Sequence, residues 1–321
     1  MKAIVCTQYG PPENLKIAEL EKPVAMEGEV LVRVRAGSIN SADWRMLVAD
    51  PFVMRFMGPG FLRPKQRPGS DMAGTVDSVG PGVKRLKPGD DVVGDLFNVG
   101  RGAFAEYACA PEDVLCRKPA GLSFEEAAAV PLAGVTALHA VWSSGRSAPG
   151  TKVLINGASG GVGTFALQLA KLSGAEVTAV CSAANLEQTR SLGADRVIDY
   201  RAEDFTKEGE RYDLILGVNG NLPLSAYRDA LRPGGAYLMV GGGNRQLIQA
   251  LLLAGSYSRG DKKFGTVSSH PDPELLDAVL QLVAAGTVKV IIDKVYPMDQ
   301  VAEAYRRFGT GHAHGKIVIT M

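Results

Sequence analysis

The sequence predicts an α/β protein with a doubly wound parallel sheet, together with a second domain that forms a small, partly closed β-barrel. From residue 151 onward, apolar segments of strand length alternate with helical segments, as in a parallel sheet covered by helices on both faces. The first 120 residues instead contain short apolar runs separated by Gly and Pro, which is typical of a compact β domain. A length of 321 residues, roughly twice that of a common domain, agrees with two domains.

The β domain is predicted from four apolar runs and the turns between them. The runs cover 29–35, 74–79, 91–94 and 104–110, and the turns cover 80–82, 87–90 and 100–102. The pattern changes at Ser123, where Ser123 and Glu126 have the spacing of a capping box, in which each side chain accepts the backbone N–H of the other residue. Helices are therefore expected at 124–130 and again at 136–142.

The parallel sheet is predicted from strands that alternate with helices. These strands cover 152–156, 176–181, 196–200, 214–218, 236–240 and 263–267. An amphipathic helix follows Glu274, and further strands are expected at 288–292 and 316–320. We predict that residues 1–123 and 268–321 form the β-barrel domain and that residues 124–267 form the domain with the parallel sheet.

Composition and charge argue against several classes of partner. Lys plus Arg number 35 and Asp plus Glu number 34, so neither nucleic acid nor an anionic membrane is an expected partner. No apolar run reaches the roughly 18 residues of a membrane span, and the N-terminus lacks a secretory or Arg-rich targeting pattern. Cys6, Cys109, Cys116 and Cys181 have neither disulfide-type nor metal-type spacing. We expect a cytoplasmic protein.

The most informative motif is the glycine-rich segment VLINGASGGVG at residues 153–163. An apolar strand leads directly into a turn and then into a helix, with Gly174 suited to end that helix. Glycines let the backbone approach a pyrophosphate, and the free N–H groups at the helix start attract its charge. A tight structural turn is the alternative interpretation. The predicted dinucleotide-binding residues of this Rossmann domain are Ala158, Ser159, Gly160, Gly161, Val162 and Gly163.

The choice of cofactor is predicted from a missing acid. About twenty residues after the glycines, a site selective for NAD carries Asp or Glu to bind the ribose hydroxyls. Here the strand ends at Cys181 and Ser182 without an acid. Ser182 and Tyr200, which ends the next predicted strand, are candidates to hold the 2′-phosphate of NADPH. Arg190 and Arg201 are further candidates, and a solvated loop charge is the alternative interpretation of Arg201.

Six further segments accompany the glycine motif along the chain. They are SINSADW at 38–44, PGSDMAG at 68–74, KPGDDVVG at 87–94, PLAGVTA at 131–137, LGAD at 192–195 and RPGG at 232–235. With these segments the chain resembles, over essentially its whole length, the zinc-independent, quinone oxidoreductase-like branch of the medium-chain dehydrogenase/reductase superfamily. The resemblance implies a GroES-like catalytic domain made of both chain ends, a Rossmann domain, and hydride transfer from NAD(P)H in the cleft between them.

The resemblance also implies roles for individual residues. Asn40 and Asp43 match the active-site loop of the zinc-independent members, and Thr136 would lie near the nicotinamide. Residues at the ends of two sheet strands would line the nicotinamide pocket, namely Val218, Asn219, Val240, Gly241 and Gly242.

The 2′-phosphate site of the family matches only in part. Ser182 and Tyr200 correspond to its residues in this chain. Many NADPH-dependent members have a basic residue shortly after that serine, where this chain has Asn185. We therefore expect NADPH as the cofactor, with a preference over NADH rather than exclusion of it.

No metal is predicted at this site. Zinc-dependent members of the superfamily supply Cys and His from two loops, which here offer Ile39 with Asn40 and Ser70. Catalytic zinc takes three protein ligands with N, S or carboxylate atoms, and Asp43 or Asp71 alone cannot hold it. A cluster of four Cys for structural zinc is also missing from the sequence.

Together with the cofactor motif, the resemblance implies an NADPH-dependent oxidoreductase that transfers hydride to a quinone or another conjugated carbonyl without zinc. Negative charge develops on the substrate oxygen, and the Asn40 amide is the leading donor to it. The apolar residues 44–62 would cover an aromatic or alkyl-bearing substrate, with a packed loop as the alternative. The alternative functions are an enoyl or enone reductase of a biosynthetic pathway and a non-catalytic NADPH-binding protein. The sequence leaves open a monomer or a homodimer.

Overall fold

The computed structural model describes residues 1–321 except 51, 53, 54, 56–63, 65, 66, 101, 143, 144, 244, 245, 247, 248, 250–254, 256, 259, 268 and 269. The chain divides into two compact units. The first unit comprises Met1–Val135 and His270–Met321, and the second unit comprises Thr136–Ser269. The α/β fold class predicted from the sequence is confirmed.

Strands and helices follow one another along the described chain. The strands are β1 (Lys2–Cys6), β2 (Leu15–Glu19), β3 (Glu29–Ile39), β4 (Asp71–Val79), β5 (Asp91–Asp95), β6 (Tyr107–Pro111), β7 (Leu115–Arg117), β8 (Lys152–Asn156), β9 (Glu176–Cys181), β10 (Arg196–Asp199), β11 (Tyr212–Gly217), β12 (Leu231–Met239), β13 (Lys263–Thr266), β14 (Ile292–Pro297) and β15 (Lys316–Thr320). The helices are α1 (Ser41–Val48), α2 (Phe124–Ala128), α3 (Pro131–Trp142), α4 (Gly161–Leu172), α5 (Leu186–Ser191), α6 (Leu224–Ala230), α7 (Pro273–Ala284) and α8 (Val301–Gly309). Among the described residues, no helix combines the length and the apolar character needed to cross a bilayer.

The second unit contains a six-stranded parallel sheet in the order β10–β9–β8–β11–β12–β13. Numbered within the unit, the strand order is 3-2-1-4-5-6, which is that of the Rossmann fold. The direction of winding reverses between β8 and β11, and sheets of this kind bind ligands beyond the carboxyl ends of the strands at that point. Val153, Leu154 and Ile155 of β8 are completely buried, as expected for a central parallel strand.

The first unit contains a seven-stranded, mainly antiparallel sheet organised around β3. The strand order is β14–β15–β3–β4–β5–β7, and β6 also pairs with β3. The N-terminal half of β3 pairs with β6, and its C-terminal half pairs with β15. Because Ile39 pairs with Ile317, the start of β15 lies beside the end of β3. This pairing brings together residues that are far apart in the sequence.

Several strand boundaries differ from the predicted ones, among them the starts of β14 and β12. The predicted strand at 288–292 is wrong, because β14 begins only at Ile292, where Ile292 pairs with Lys316. The strand predicted at 236–240 begins earlier, since Leu231 already pairs with Tyr212 before the Pro-Gly-Gly sequence at 233–235. In both cases the pairing partner, rather than the local apolar pattern, sets the start of the strand.

The helix predicted at 136–142 also begins earlier, at Pro131. Proline is well suited to the first turn of a helix, where its missing N–H would have no intrahelical partner. Gly134 in the next turn does not break the helix. A Cβ atom there would lie 2.9 Å from a methyl carbon of Val279, so this glycine permits close packing against α7.

Candidate functional site

The carboxyl ends of β8 and β11 meet where the winding of the second unit's sheet reverses. The backbone N–H groups of Val218 and Asn219 both donate to the carbonyl oxygen of Asn156, each at 2.9 Å. Gly157 has a φ of +96°, and a Cβ atom on it would lie 2.8 Å from the Cβ of Asn219, so the position requires glycine. The predicted glycine turn and the predicted residues Val218 and Asn219 are therefore neighbours.

The glycine turn leads into the N-terminus of α4. Gly160 is the N-cap residue in an extended conformation (φ −80°, ψ 175°), without a side chain to cap the helix. A Cβ atom on Gly160 would meet only the Gly157 oxygen, at 3.7 Å, whereas one on Gly163 would lie 2.2 Å from that oxygen. Gly163 is thus required for packing, while Gly160 leaves space beside the helix N-terminus. Free N–H groups and a favourable helix dipole at this place fit a pyrophosphate.

The other predicted residues of the turn divide into two groups. Ala158 is buried and its N–H donates to the carbonyl of Val180 at 3.1 Å, so it shapes the turn. Ser159, Gly161 and Val162 are partly exposed beside the start of α4.

The end of β12 adjoins the end of β11. The N–H groups of Val240 and Gly241 both donate to the carbonyl oxygen of Gly217, at 3.0 and 3.1 Å. All the residues predicted to line the nicotinamide pocket from strand ends therefore lie along one edge of the sheet. Thr136, the remaining predicted residue of that pocket, lies in α3 and is buried.

A buried glutamine that the sequence reasoning missed supports this edge. Gly220 and Gly242 form an isolated backbone bridge, and a Cβ atom on either would lie 2.3 Å from the Gln246 oxygen Oε1. The Gln246 amide donates to the Tyr237 hydroxyl at 2.9 Å. The packing of Gln246 therefore explains why both bridge positions are glycine.

The side chain of Asn185 joins the glycine turn to the end of β9. Its Nδ2 donates to the hydroxyl oxygens of Ser159 and Ser182, both at 3.1 Å, and the residue is 3% exposed. Because each hydroxyl accepts from the amide, its own proton remains available to donate to another group. Within the described part of the chain, the buried Asn185 Oδ1 has no hydrogen-bond partner. Such a set of donors with an unpaired acceptor suits a phosphorylated ribose.

Tyr200 lies beside the same strand end. Its N–H donates to the carbonyl of Cys181 at 3.2 Å, its side chain is half-exposed, and the Arg201 guanidinium lies 5.6 Å from the ring centroid. Burial raises the pKa of the Cys181 thiol, which disfavours its thiolate form. Ser182, Tyr200 and Arg201 thus form the polar surroundings of the end of β9.

In the first unit, Asn40 and Asp43 lie where β3 leads into α1. The Asp43 carboxylate accepts the backbone N–H of Asn40 at 3.0 Å and the Ser70 hydroxyl at 3.0 Å. All three residues are buried. Asp43 therefore joins the start of α1 to the residue that precedes β4, and both of its oxygen atoms are occupied by protein donors.

Asp71 is completely buried beside these residues and receives four hydrogen bonds. Its Oδ2 accepts from the Ser38 hydroxyl (2.7 Å), the Asn40 Nδ2 (2.9 Å) and the Lys316 ammonium (3.3 Å). Its Oδ1 accepts the backbone N–H of Leu132 at 3.0 Å, in the first turn of α3. Four donors satisfy the acceptor sites of an ionised carboxylate.

Lys316 is the residue at this site that the sequence reasoning missed. Its ammonium lies 2.5 Å from the Asn40 oxygen Oδ1 and 3.3 Å from Asp71, and the residue is only 3% exposed. The sequence signal was a lysine at the head of an apolar strand, directly after Gly315. That glycine has a φ of +102°, and a Cβ atom on it would lie 2.2 Å from the carbonyl oxygen of Ile291.

The donor set of this cluster does not fit zinc. Asn40 and Ser70 are poor zinc ligands, and the acceptor atoms of Asp71 are taken by hydrogen-bond donors that include an ammonium. A cation placed beside Asp71 would be repelled by Lys316. The second unit does fit a dinucleotide, because the space at Gly160, the start of α4 and the hydroxyls held by Asn185 supply its recognition groups.

The predicted apolar cover at 44–62 falls mainly outside the described residues. Its first part, Trp44 to Val48, belongs to α1. The aromatic ring of Trp44 packs against Phe308 of α8, with centroids 6.3 Å apart. The part of this segment that belongs to α1 is therefore a packed helix.

The Rossmann sheet, with its glycine turn at the point where the winding reverses, has the arrangement of a dinucleotide-binding domain. Comparison with known sequence families agrees. Residues 26–120 match the family "Alcohol dehydrogenase GroES-like domain", and residues 192–319 match "Zinc-binding dehydrogenase". The zinc in the second description is at odds with the donor set around Asn40.

Comparisons over the whole chain identify the branch of the superfamily to which the protein belongs. The chloroplast envelope quinone oxidoreductase homolog of Arabidopsis thaliana is 34% identical over 99% of this chain and 98% of its own length. The 2-methylene-furan-3-one reductase of Solanum lycopersicum is 32% identical over 99% of this chain and 79% of its own. The quinone oxidoreductase structure from Coxiella burnetii superposes with a TM-score of 0.91 at 30% identity, covering 100% of this chain and 99% of that one.

The chain belongs to the quinone oxidoreductase-like branch of the medium-chain dehydrogenase/reductase superfamily. The resemblance found in the sequence motifs is thereby confirmed. The cofactor is a nicotinamide dinucleotide, as in the NAD(P)H-dependent oxidoreductases of this family.

Proposed function

We propose that the protein is an NADPH-dependent oxidoreductase that transfers hydride to a quinone or another conjugated carbonyl without zinc. The observation that carries the proposal is the glycine turn at the start of α4, next to the ends of β11 and β12. The cluster around Asn40 supports it, because it holds a neutral amide donor among buried charges. The names of the Arabidopsis and tomato relatives support quinones and enones as the substrate classes.

Asn40 is the proposed catalytic residue. When bound, the nicotinamide supplies the hydride. The Asn40 amide has two N–H groups, and since one donates to Asp71, the other remains to bind the carbonyl oxygen on which negative charge develops. Asp43, whose carboxylate is held by Asn40 and Ser70, is proposed to fix the loop rather than to transfer a proton.

The first test is a screen of NADPH oxidation with quinones, enones and simple aldehydes. We expect turnover of quinones or enones that persists in chelator, with less than about 0.1 equivalent of zinc in the protein. Asn40→Ala should lower kcat by about 10²–10³, the typical loss for one donor to a developing oxyanion. Tight NADPH binding without turnover of any acceptor would instead favour the non-catalytic alternative. A ratio of kcat/KM values for matched acceptors separates a quinone reductase from an enone reductase.

NADPH is the proposed cofactor because Ser182 and Tyr200 lie at the end of β9 and the Ser182 hydroxyl keeps a proton to donate. One or two charge-assisted hydrogen bonds of about 1.5–3 kcal/mol each give roughly ten- to a few-hundred-fold preference over NADH. Ser182→Asp should reverse the preference, by repelling the phosphate and accepting from the ribose. Ser182→Ala, the matched control, should only weaken it. An Asp variant that still prefers NADPH would mean that the 2′-phosphate binds elsewhere.

We also propose the broader organisation expected from the sequence. Residues 124–267 would form the cofactor domain, and 1–123 with 268–321 the catalytic domain, supported by the two compact units. Four free cysteines support a reducing, cytoplasmic location, which fractionation of cells would test. A homodimer is the proposed assembly, since two-fold dimers are the commonest oligomers, and light scattering of the purified protein would test it.

A further inference from the structure

The ammonium group of Lys316 is buried, and stabilisation of the fold alone does not explain a lysine at this position. Lys316 and its partner Asp71 are almost completely removed from water, at 3% and 0% exposure. Burying an ion pair is costly, and well-packed apolar residues in its place usually stabilise a protein as well or better. The pair is therefore better explained by what it does to the neutral side chain between the two charges, which is Asn40.

The charges of Asp71 and Lys316 favour a single orientation of the Asn40 amide. An isolated asparagine amide can turn over, which exchanges its oxygen and nitrogen. Here the Asp71 carboxylate can only accept, and it receives the Asn40 Nδ2 at 2.9 Å. The Lys316 ammonium can only donate, and it binds the Asn40 Oδ1. The turned-over amide would place oxygen against carboxylate and nitrogen against ammonium.

This fixed orientation matters for the developing charge on a substrate oxygen. With the amide as it stands, the second N–H of Nδ2 is the group left to donate. A turned-over amide would present its carbonyl oxygen and repel the same charge. The cation at Oδ1 also withdraws electron density from the amide, which strengthens its N–H groups as donors.

We propose that Lys316 is a positioning residue that orients and polarises the Asn40 amide for stabilisation of the substrate oxyanion. The inference rests on the proposed function, and nothing in the local apolar pattern of β15 requires a lysine. Lys316 acts through Asn40, and Asp71 completes the arrangement from the other end of the amide.

The central variant is the double substitution Lys316→Met with Asp71→Asn, which removes both charges and leaves no unpaired buried ion. Lys316→Met alone strands the Asp71 charge and serves as a comparison only where it folds. Lys294→Met is the matched control, because Lys294 lies on the neighbouring strand β14 in an exposed pair with Glu303. The control should keep wild-type kcat.

The kinetic test is a cycle with Asn40→Ala. In the wild-type background the double substitution should lower kcat by about tenfold or more, with the KM for NADPH changed by less than about twofold. In the Asn40→Ala background it should change kcat by less than about twofold, because its target is gone. Equal losses in both backgrounds would overturn the inference.

A second measurement separates this inference from the proposed function. The side-chain NH₂ signals of Asn40, assigned by their loss in Asn40→Ala, should be well separated and slow to exchange in the wild type. In the folded double variant they should shift and lose protection. Unchanged signals would overturn the role of Lys316 whatever the enzyme turns over. Absence of turnover in the wild type would overturn the proposed function alone.

Discussion

Gly160→Asp should change stability and cofactor binding in opposite directions. Gly160 is the N-cap of α4 in an extended conformation that any residue adopts, and a Cβ atom there meets only one oxygen at 3.7 Å. Aspartate is among the best N-cap residues, because its side chain accepts the free N–H groups of the first turn. The same carboxylate would occupy the place at which we expect the pyrophosphate to bind.

The gain in stability of the cofactor-free protein should be modest. Aspartate improves on glycine at an N-cap by a few tenths of a kcal/mol, and its charge adds about 0.3–1 kcal/mol through the helix dipole. Replacing glycine also lowers the conformational entropy of the unfolded chain, which adds roughly another 0.4–1 kcal/mol to the free energy of unfolding. The sum is about 1–2.5 kcal/mol, or a rise in Tm of roughly 2–10 °C for a unit of this size.

The loss of NADPH affinity should be much larger. Two like charges about 4 Å apart near a protein surface repel by about 4 kcal/mol, which corresponds to roughly a thousandfold in Kd. Gly160→Asn is the matched control, because it caps the helix equally well but carries no charge. It should be stabilised less than the aspartate variant, because it lacks the charge that interacts with the helix dipole, and it should lose about tenfold or less in affinity.

Thermal unfolding without cofactor and calorimetric titration with NADPH measure the two quantities. A folded Gly160→Asp protein that binds NADPH as tightly as the wild type would show that the pyrophosphate does not lie at the start of α4. A lower Tm for both variants would contradict the assignment of Gly160 as the N-cap.

Three further predictions use other contacts. Gly163→Ala should lower the free energy of unfolding by about 1–3 kcal/mol in urea titrations, because its Cβ would lie 2.2 Å from the Gly157 oxygen; wild-type stability would contradict this. Asn185→Asp should weaken NADPH binding by about tenfold or more in titrations, because the Ser159 and Ser182 hydroxyls would donate to the new carboxylate instead of to the cofactor. Unchanged affinity would show that these hydroxyls do not bind NADPH. Burial raises the pKa of Asp293, but hydrogen bonds from Arg307 and a backbone N–H outweigh this effect, so the net pKa is lowered. The ionised carboxylate therefore adds to the free energy of unfolding above the pKa of about 3.9 that it has in the unfolded chain. This contribution is lost as the pH falls below that value. Asp293→Asn should therefore lower the free energy of unfolding by about 1–3 kcal/mol at neutral pH and reduce the loss of stability between neutral and acid pH. An unchanged loss of stability in acid would show that the pair with Arg307 contributes nothing.

Sequence patterns predicted the parts of the fold that depend on local chemistry. The strands β8, β9 and β15 begin and end at the predicted residues, because apolar runs bounded by Gly or polar residues mark them clearly. The capping box at Ser123 is present, with the Ser123 hydroxyl accepting the Glu126 N–H at 3.1 Å. The glycine motif indicated the turn before α4, since strand, turn and helix are all encoded within eleven consecutive residues at 153–163.

Long-range pairing accounts for what the sequence could not predict. The start of β14 follows from its pairing with Lys316, which no local pattern encodes. Asn40 was identified as a candidate donor, but its charged partners were not, because Asp71 and Lys316 come from different strands. In the sequence, Asn185 attracted attention only because it stands where many NADPH-dependent members of the family have a basic residue. Its bridge between two serines depends on how the turn and the end of β9 approach each other.

The pairing of β15 with β3 has a consequence for biosynthesis. Asn40 and Lys316 are 276 residues apart, and a ribosome adding about 5–20 residues per second needs roughly 15–55 s to span them. Through that interval the nascent β3 has an open edge where β15 will pair, while every strand of the second unit is already synthesised before β15 emerges. An open strand edge can pair with other chains, so we expect slower elongation over the later part of the message to increase aggregation of the unfinished protein.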